Sequence, residues 1–226
     1  MGHLVLNLNS KKTLKEMTKR HFVSHTNPDS QIAEQFRTIR TNIQFLSVDG
    51  CKHKMLILTS PSSGEGKTTA AINLAISISQ QGDRVLLIDA NLRRPTLHTS
   101  FNLKTSYGLT DILMGRKTLE ESVFQTKIGR LEVLTSGLIP PNPTELIGSK
   151  AMSQFINEIR DEYDVILFDC PPVLETTDTK LLAGQCDGAV LVLNSGKTER
   201  EKAVEAKRLL NLVRAKVLGV ILNERE

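Results

Sequence analysis

The chain has 226 residues, 39% hydrophobic and 24% charged with a formal net charge of +4, which suits one large α/β domain or, less comfortably, two small ones. No apolar run approaches the roughly 18 to 20 residues of a membrane-spanning helix. No apolar segment follows the N-terminal basic residues to make a signal peptide, and Leu6 stands where myristoylation needs Ser or Thr. Cys51, Cys170 and Cys186 are too scattered for a disulfide framework or a zinc site, so the expected location is the cytosol.

The charge surplus is local. Residues 1–20 carry Lys11, Lys12, Lys15, Lys19 and Arg20 against Glu16 alone, and the rest of the chain is neutral overall. This argues against a domain-wide nucleic-acid surface. The expectation is a basic arm over 1–27 that either meets anionic lipid or an acidic partner or is a solvated tail, followed by a single domain over 28–226. Asn27-Pro28 reads as an N-cap with proline at the first helical position. Ile32, Phe36, Ile39, Ile43 and Leu46 then recur at alternating spacings of four and three, predicting one buried helical stripe. Glu34, Arg37 and Arg40 lie off that stripe, facing outward or toward a partner.

Strands and helices alternate from Met55 onward. Apolar runs at Met55–Thr59, Val85–Ile88, Leu131–Leu134, Val165–Phe168, Ala189–Leu193 and Val217–Leu222 predict buried strands. Helices are predicted near Lys67–Gln81, Ser149–Glu162, Thr176–Gly184 and Thr198–Val213. Near-continuous apolar strands separated by helices indicate an α/β fold, a mostly parallel sheet covered by helices on both faces. In such sheets phosphate ligands sit beyond the carboxyl ends of the strands.

The first strand runs into Ser60-Pro61-Ser62-Ser63-Gly64-Glu65-Gly66-Lys67-Thr68-Thr69 and then a helix. Glycines let backbone amides close around phosphate oxygens, and a helix start favours anions. Residues 63–69 are therefore the expected nucleotide cradle, with Lys67 reaching the β- and γ-phosphates and the Thr68 hydroxyl on Mg²⁺. Pro61 replaces the first glycine of the simple phosphate-loop pattern, and the competing reading is a glycine-rich turn. Asp89 and Asp169 end two further strands and are candidates to converge with Thr68 on the metal and terminal phosphate; taken singly, each is more often a turn-forming or capping residue. Cys170 invites a nucleophile reading, yet no histidine lies near it in sequence, and a small packing residue is the better reading. Ser195-Gly196-Lys197-Thr198 lacks the upstream glycine of a phosphate loop and reads as a strand-to-helix turn.

Together these residues resemble a bacterial tyrosine kinase (BY-kinase) of the type that regulates capsule and exopolysaccharide export. Gly64-Glu65-Gly66-Lys67-Thr68 resembles its Walker A motif, Asp89-Ala90-Asn91-Leu92-Arg93-Arg94-Pro95 its Walker A′ motif, and Phe168-Asp169-Cys170-Pro171-Pro172 its Walker B motif. Glu34-Gln35-Phe36-Arg37-Thr38-Ile39-Arg40 fits its E-x-x-R-x-x-R oligomerisation motif, and Pro140-Pro141-Asn142-Pro143-Thr144-Glu145-Leu146 also looks like a family segment. The resemblance covers about residues 28 to 223 in family order. It implies a P-loop NTPase fold, ATP and Mg²⁺ as cofactors, and transfer of the γ-phosphate to protein tyrosines. Lys67 and Asp89 would then be catalytic, Asp89 as the base or mainly for the metal, and Asp169 would organise Mg²⁺ through water. Glu34, Arg37 and Arg40 would face an adjacent protomer in a ring, and a separate transmembrane adaptor of the polysaccharide co-polymerase type would recruit the kinase to the inner face of the membrane.

Two features depart from the family pattern. Asn91 stands where Walker A′ usually has a second aspartate, and a carboxamide supplies no charge. The tyrosine-rich tail is also missing, since the only tyrosines are Tyr107 and Tyr163. The alternatives are a Min/Par-type ATPase switch, against which Ser62 and Ser63 occupy the signature lysine and following glycine positions, and a catalytically weak ATP-binding scaffold.

Overall fold

The computed structural model describes residues 22–46, 53–103 and 107–223. The element order is α1 (Val23–Thr26), α2 (Gln31–Phe45), β1 (Met55–Thr59), α3 (Lys67–Ser79), β2 (Val85–Asp89), α4 (Leu97–Ser100), α5 (Leu109–Leu113), α6 (Leu119–Ser122), β3 (Val123–Gln125), β4 (Leu131–Leu134), α7 (Pro143–Ile147), α8 (Lys150–Glu162), β5 (Val165–Asp169), α9 (Asp178–Ala183), β6 (Gly188–Asn194), α10 (Arg200–Leu212) and β7 (Val217–Asn223). Seven strands form one sheet in the order β3-β4-β2-β5-β1-β6-β7. Every pairing is parallel except that of β3 with β4.

The uninterrupted apolar character of the central strands follows from this arrangement, because each strand is covered on both faces. Met55, Ile57, Leu86, Ile88, Ile166 and Phe168 pack on one side. Leu56, Leu58, Val85, Leu87 and Leu167 pack on the other, under Ala71, Leu74, Ala75 and Ile78 of α3. α3 is therefore apolar nearly all round, as a helix enclosed between a sheet and a second helix must be. That second helix is α2.

Several expectations change at the N-terminal end. The basic arm lies outside the described residues as far as position 21. Its last residues are built into the fold, for Phe22 and Ser24 are buried. The Phe22 ring meets Phe101 edge-on at 4.8 Å, and the Ser24 amide donates to Asn73 Oδ1 at 2.8 Å. Asn27 is the C-cap of α1, and the N-cap of α2 is Ser30, whose hydroxyl accepts from the Ala33 amide at 3.2 Å. A residue that can accept at N3 displaces the expected Asn-Pro start. The buried stripe of α2 is shorter than expected: Ala33 and Phe36 are buried, whereas Ile32 and Leu46 are exposed.

Candidate functional site

β1 ends at Thr59, and the loop after it turns through two left-handed glycines, Gly64 at φ +81° and Gly66 at φ +89°, before α3 begins at Lys67. Only glycine takes this conformation without strain. At Gly66 a Cβ would also lie 2.3 Å from Asn223 Nδ2 and displace that carboxamide, which donates to the Glu65 carbonyl at 3.2 Å. The end of β7 thus braces the loop from behind. Lys67 is nearly buried, and among the described residues no hydrogen bond or ion pair holds its ammonium. Burial lowers its pKa, while Asp169, Glu175 and Glu65 counteract that from farther away. A nearly dry, unpaired cation at a helix start is built to receive an anion. Thr69, in the first turn of α3, lends its carbonyl to Asn73 Nδ2 at 2.8 Å.

Two side chains of the loop are engaged in ways the motif does not announce. The Ser63 amide and hydroxyl donate to Glu175 Oε1 and Oε2 at 2.8 and 2.9 Å, so this end of the cradle is closed by a carboxylate from the β5–α9 connection. Glu65 contributes its backbone to the turn, but its side chain is buried, hydrogen-bonded by Thr198, with Oε2 unpartnered among the described residues. Its pKa is raised, chiefly by burial.

The parallel register sets Asp89 of β2 beside Asp169 of β5. Both are fully or almost fully buried. Thr68 Oγ1 donates to Asp169 Oδ2 at 2.6 Å, while Asp169 Oδ1 has no partner among the described residues. Burial pushes the Asp169 carboxyl up to about 7, with the neighbouring Asp89 charge adding to it, and burial pushes Asp89 up to about 6. Asp89 is also a turn organiser: its Oδ2 accepts the Thr96 and Leu97 amides at 2.9 Å each, and its Oδ1 accepts the Asn91 amide at 3.2 Å. Asn91 caps the same turn, accepting the Arg94 amide at 3.2 Å. Beyond it Arg93 pairs with buried Asp178 at 2.8 Å and donates to Thr144 Oγ1 at 2.8 Å, tying the turn to the Pro140–Leu146 segment.

The fit to a divalent cation follows from these atoms. Two adjacent buried carboxylates with raised pKa values, one oxygen unpartnered and a hydroxyl alongside, are the donor set that Mg²⁺ uses together with substrate phosphates and water. Cys170 is buried with its thiol pKa raised, chiefly by burial, so the packing role holds and a nucleophile does not. Residues 195–198 form the expected turn, in which the Lys197 and Thr198 amides return to the Asn194 carbonyl.

Away from the cradle, Glu34 and Arg37 form an i,i+3 ion pair on α2, and Arg37 also donates to the Pro28 carbonyl. Arg40 does not face outward. Its Nη1 donates to the Ser77 carbonyl at 2.5 Å, anchoring α2 on α3 near the carboxyl end of the latter. A guanidinium reaching the last-turn carbonyls of a neighbouring helix satisfies groups that the helix itself leaves open.

A family model described as an AAA domain matches residues 53–197. The tyrosine-protein kinase YwqD of Bacillus subtilis is 48% identical over 91% of this chain and 86% of that protein. The chain belongs to the bacterial tyrosine-protein kinases. Among solved structures, the chimerical protein CapA2B2 superposes at TM-score 0.87 with 37% identity, covering 91% of this chain and 90% of that one. The kinase domain of Escherichia coli tyrosine kinase ETK gives 0.86 with 30% identity, over 90% and 79%. MinD from Pyrococcus horikoshii, complexed with Mg-ADP, gives 0.65 at 24% identity over 75% and 70%, and shares the fold alone. The fold is that of P-loop nucleotide-binding proteins, and the chain is a nucleotide-binding tyrosine kinase by family.

Proposed function

We propose that the chain transfers the γ-phosphoryl group of ATP to protein tyrosines in the control of capsular or extracellular polysaccharide synthesis and export. The observation that carries this reading is the buried, unpaired Lys67 ammonium in a left-handed glycine turn, alongside two buried strand-end carboxylates. Lys67 and the loop amides would neutralise the transferred phosphoryl group. Thr68 and Asp169 would hold Mg²⁺, which on binding supplies positive charge against the phosphate oxygens. A tyrosine hydroxyl, with an ordinary pKa near 10, needs a proton acceptor at neutral pH. Asp89, with its raised pKa, is suited to that task. Oδ1 accepts only the Asn91 amide, whereas Oδ2 accepts two amides, so Oδ1 keeps a lone pair for that proton. Positioning and electrostatics carry the rest of the catalysis.

The proposed partners are a transmembrane adaptor of the polysaccharide co-polymerase type, tyrosine-bearing substrates and further copies of the chain in a ring. Among the described residues no helix is long and apolar enough to cross a membrane. Recruitment to the inner face of the membrane is the proposed role of the adaptor. The ring contact is proposed at Glu34 and Arg37, next to exposed Ile32, with Arg40 fixing α2 so that this face is presented.

Phosphosite mass spectrometry after incubation with Mg-ATP and the adaptor's cytoplasmic segment tests the reading. Lys67→Met and Asp89→Asn should lose tyrosine phosphorylation by at least a hundredfold; transfer that survives both removes the site assignment. ATP hydrolysis without phosphotyrosine would favour a Min/Par-type switch or a scaffold.

A further inference from the structure

The chain contains two tyrosines, and the fold treats them oppositely. Tyr163 is 2% exposed, its hydroxyl donates to Glu132 Oε2 at 2.5 Å, and the Arg84 guanidinium lies 4.6 Å from its ring centroid. Burial and the Glu132 carboxylate both raise its pKa, so this hydroxyl is neither accessible nor readily ionised. Tyr107 is 48% exposed, and no hydrogen bond holds its hydroxyl among the described residues. The Lys117 ammonium stands 4.8 Å from its ring centroid.

Tyr107 is displayed from a rigid mount. Its carbonyl accepts the Thr135 hydroxyl at 3.2 Å, and the Leu109 and Thr110 amides donate to the Thr135 and Ser136 carbonyls at 2.8 and 2.9 Å. A Cβ on Gly108 would lie 2.2 Å from the Gly137 amide nitrogen and 2.3 Å from the Thr135 carbonyl, so the backbone here is pressed directly onto the chain leaving β4. The mount lies at the carboxyl edge of the sheet, the same edge as the nucleotide cradle. It is at β4, however, whereas the cradle follows β1, three strands away in the sheet order. At about 4.8 Å per strand that separation is about 14 Å. With the backbone from its carbonyl to Thr110 held on the chain leaving β4, Tyr107 does not cross that distance within its own chain.

We propose that Tyr107 is a phosphorylation site of this chain, modified in trans by the nucleotide site of a second copy; this rests on the tyrosine-kinase reading above. Tyr107 Oη of one copy attacks the γ-phosphorus of ATP held by the other. The new O–P bond forms as the bond from the γ-phosphorus to the β,γ-bridging oxygen breaks. ADP leaves, and the phenolic proton passes to Asp89 of the catalysing copy. Lys117, beside the ring and paired with Glu121 at 2.8 Å, would exchange that carboxylate for the new phosphate.

The test mixes full-length Lys67→Met, which keeps Tyr107 but lacks the cradle cation, with full-length Tyr107→Phe, which keeps the cradle but lacks the acceptor. Mg-ATP, the adaptor's cytoplasmic segment and a Glu/Tyr copolymer are added, and sites are mapped by mass spectrometry. The expected result is phosphate on Tyr107 of the Lys67→Met copy, none on Tyr163, and at least a tenfold fall in self-labelling of Tyr107→Phe alone with copolymer phosphorylation retained. Copolymer labelling with Tyr107 unmodified overturns this proposal and leaves the kinase reading standing. Label on Tyr163, or on Tyr107 only in wild-type copies and never in Lys67→Met, also overturns it. An unlabelled copolymer overturns the kinase reading and this proposal together.

Discussion

Replacing Asp169 by Asn should make the ligand-free protein more stable at pH 8 while removing its Mg²⁺-dependent activity. The folded-state pKa of about 7 stands against 3.8 for a free aspartate. Because the folded value is the higher one, the group's favourable contribution is complete below pH 3.8 and is lost as pH rises through 7. At about 1.4 kcal/mol per pKa unit, a difference of about 3 units amounts to roughly 4 kcal/mol by pH 8. Less than half of that is already lost at pH 5. The amide removes the charge, and its carbonyl oxygen still accepts the Thr68 hydroxyl, so the packing of the site survives. The stability of Asp169→Asn relative to wild type should therefore grow by about 2 to 3 kcal/mol between pH 5 and pH 8. Urea unfolding followed by circular dichroism at both pH values gives this difference of differences, in which groups that do not interact with Asp169 cancel and the coupled titration of Asp89 is included. A gap that does not change with pH, or a mutant less stable than wild type at pH 8, would refute the argument that these carboxylates are buried at a cost to the empty site. Saturating Mg-ADP should raise the wild-type midpoint by more than that of Asp169→Asn, in which Lys67 and the loop amides still meet the phosphates.

Gly66→Ala should destabilise the fold by about 2 to 4 kcal/mol, since it joins a left-handed backbone to a clash with Asn223; thermal melts should show partial rescue by Asn223→Gly, which removes the clash and leaves the backbone strain. Glu175→Gln should tighten Mg-ADP binding by about 3- to 10-fold in titration calorimetry, because a negative charge no longer occupies the Ser63 end of the cradle; weaker binding would mean that Glu175 holds the loop in its receptive shape. Joint replacement of Glu34 and Arg37 by Ala should lower the oligomer mass in light scattering with a melting temperature within about 2 °C of wild type, as an exposed i,i+3 pair contributes only tenths of a kcal/mol. Arg40→Ala should instead cost about 1 to 2 kcal/mol by leaving the Ser77 carbonyl without its charged donor.

The parts legible in advance were those with local signatures. Parallel strands covered on both faces spell themselves out as apolar runs, and the turn through Gly64 and Gly66 is written in its own residues. Asp89 and Asp169 were readable as a candidate pair because each ends a strand, and the register that aligns β2 with β5 brings them together. What escaped depends on partners distant in sequence. Glu175 meets Ser63 across 112 positions, and nothing in either neighbourhood announces it. Arg40 lies off the apolar stripe and so reads as facing outward or toward a partner, yet its reach to Ser77 exists only once α2 lies on α3. β3, three residues long at the sheet edge, is too short for an alternating pattern to register. The Asn27-Pro28 pair looked like a helix start because proline fits a first helical position, while Ser30 makes the actual cap.

Asn223 has a mechanical consequence. β7 is an edge strand with much of its outer surface in water, Val220 and Leu222 being 55% and 60% exposed, so its amides should exchange with solvent sooner than those of β1 or β5. Yet its last side chain fills the space behind Gly66 and holds the Glu65 carbonyl. Fraying of this rim therefore slackens the wall of the phosphate pocket, and a tenant in that pocket should in turn quiet the rim, linking occupancy at the heart of the molecule to deuterium uptake along its least protected border.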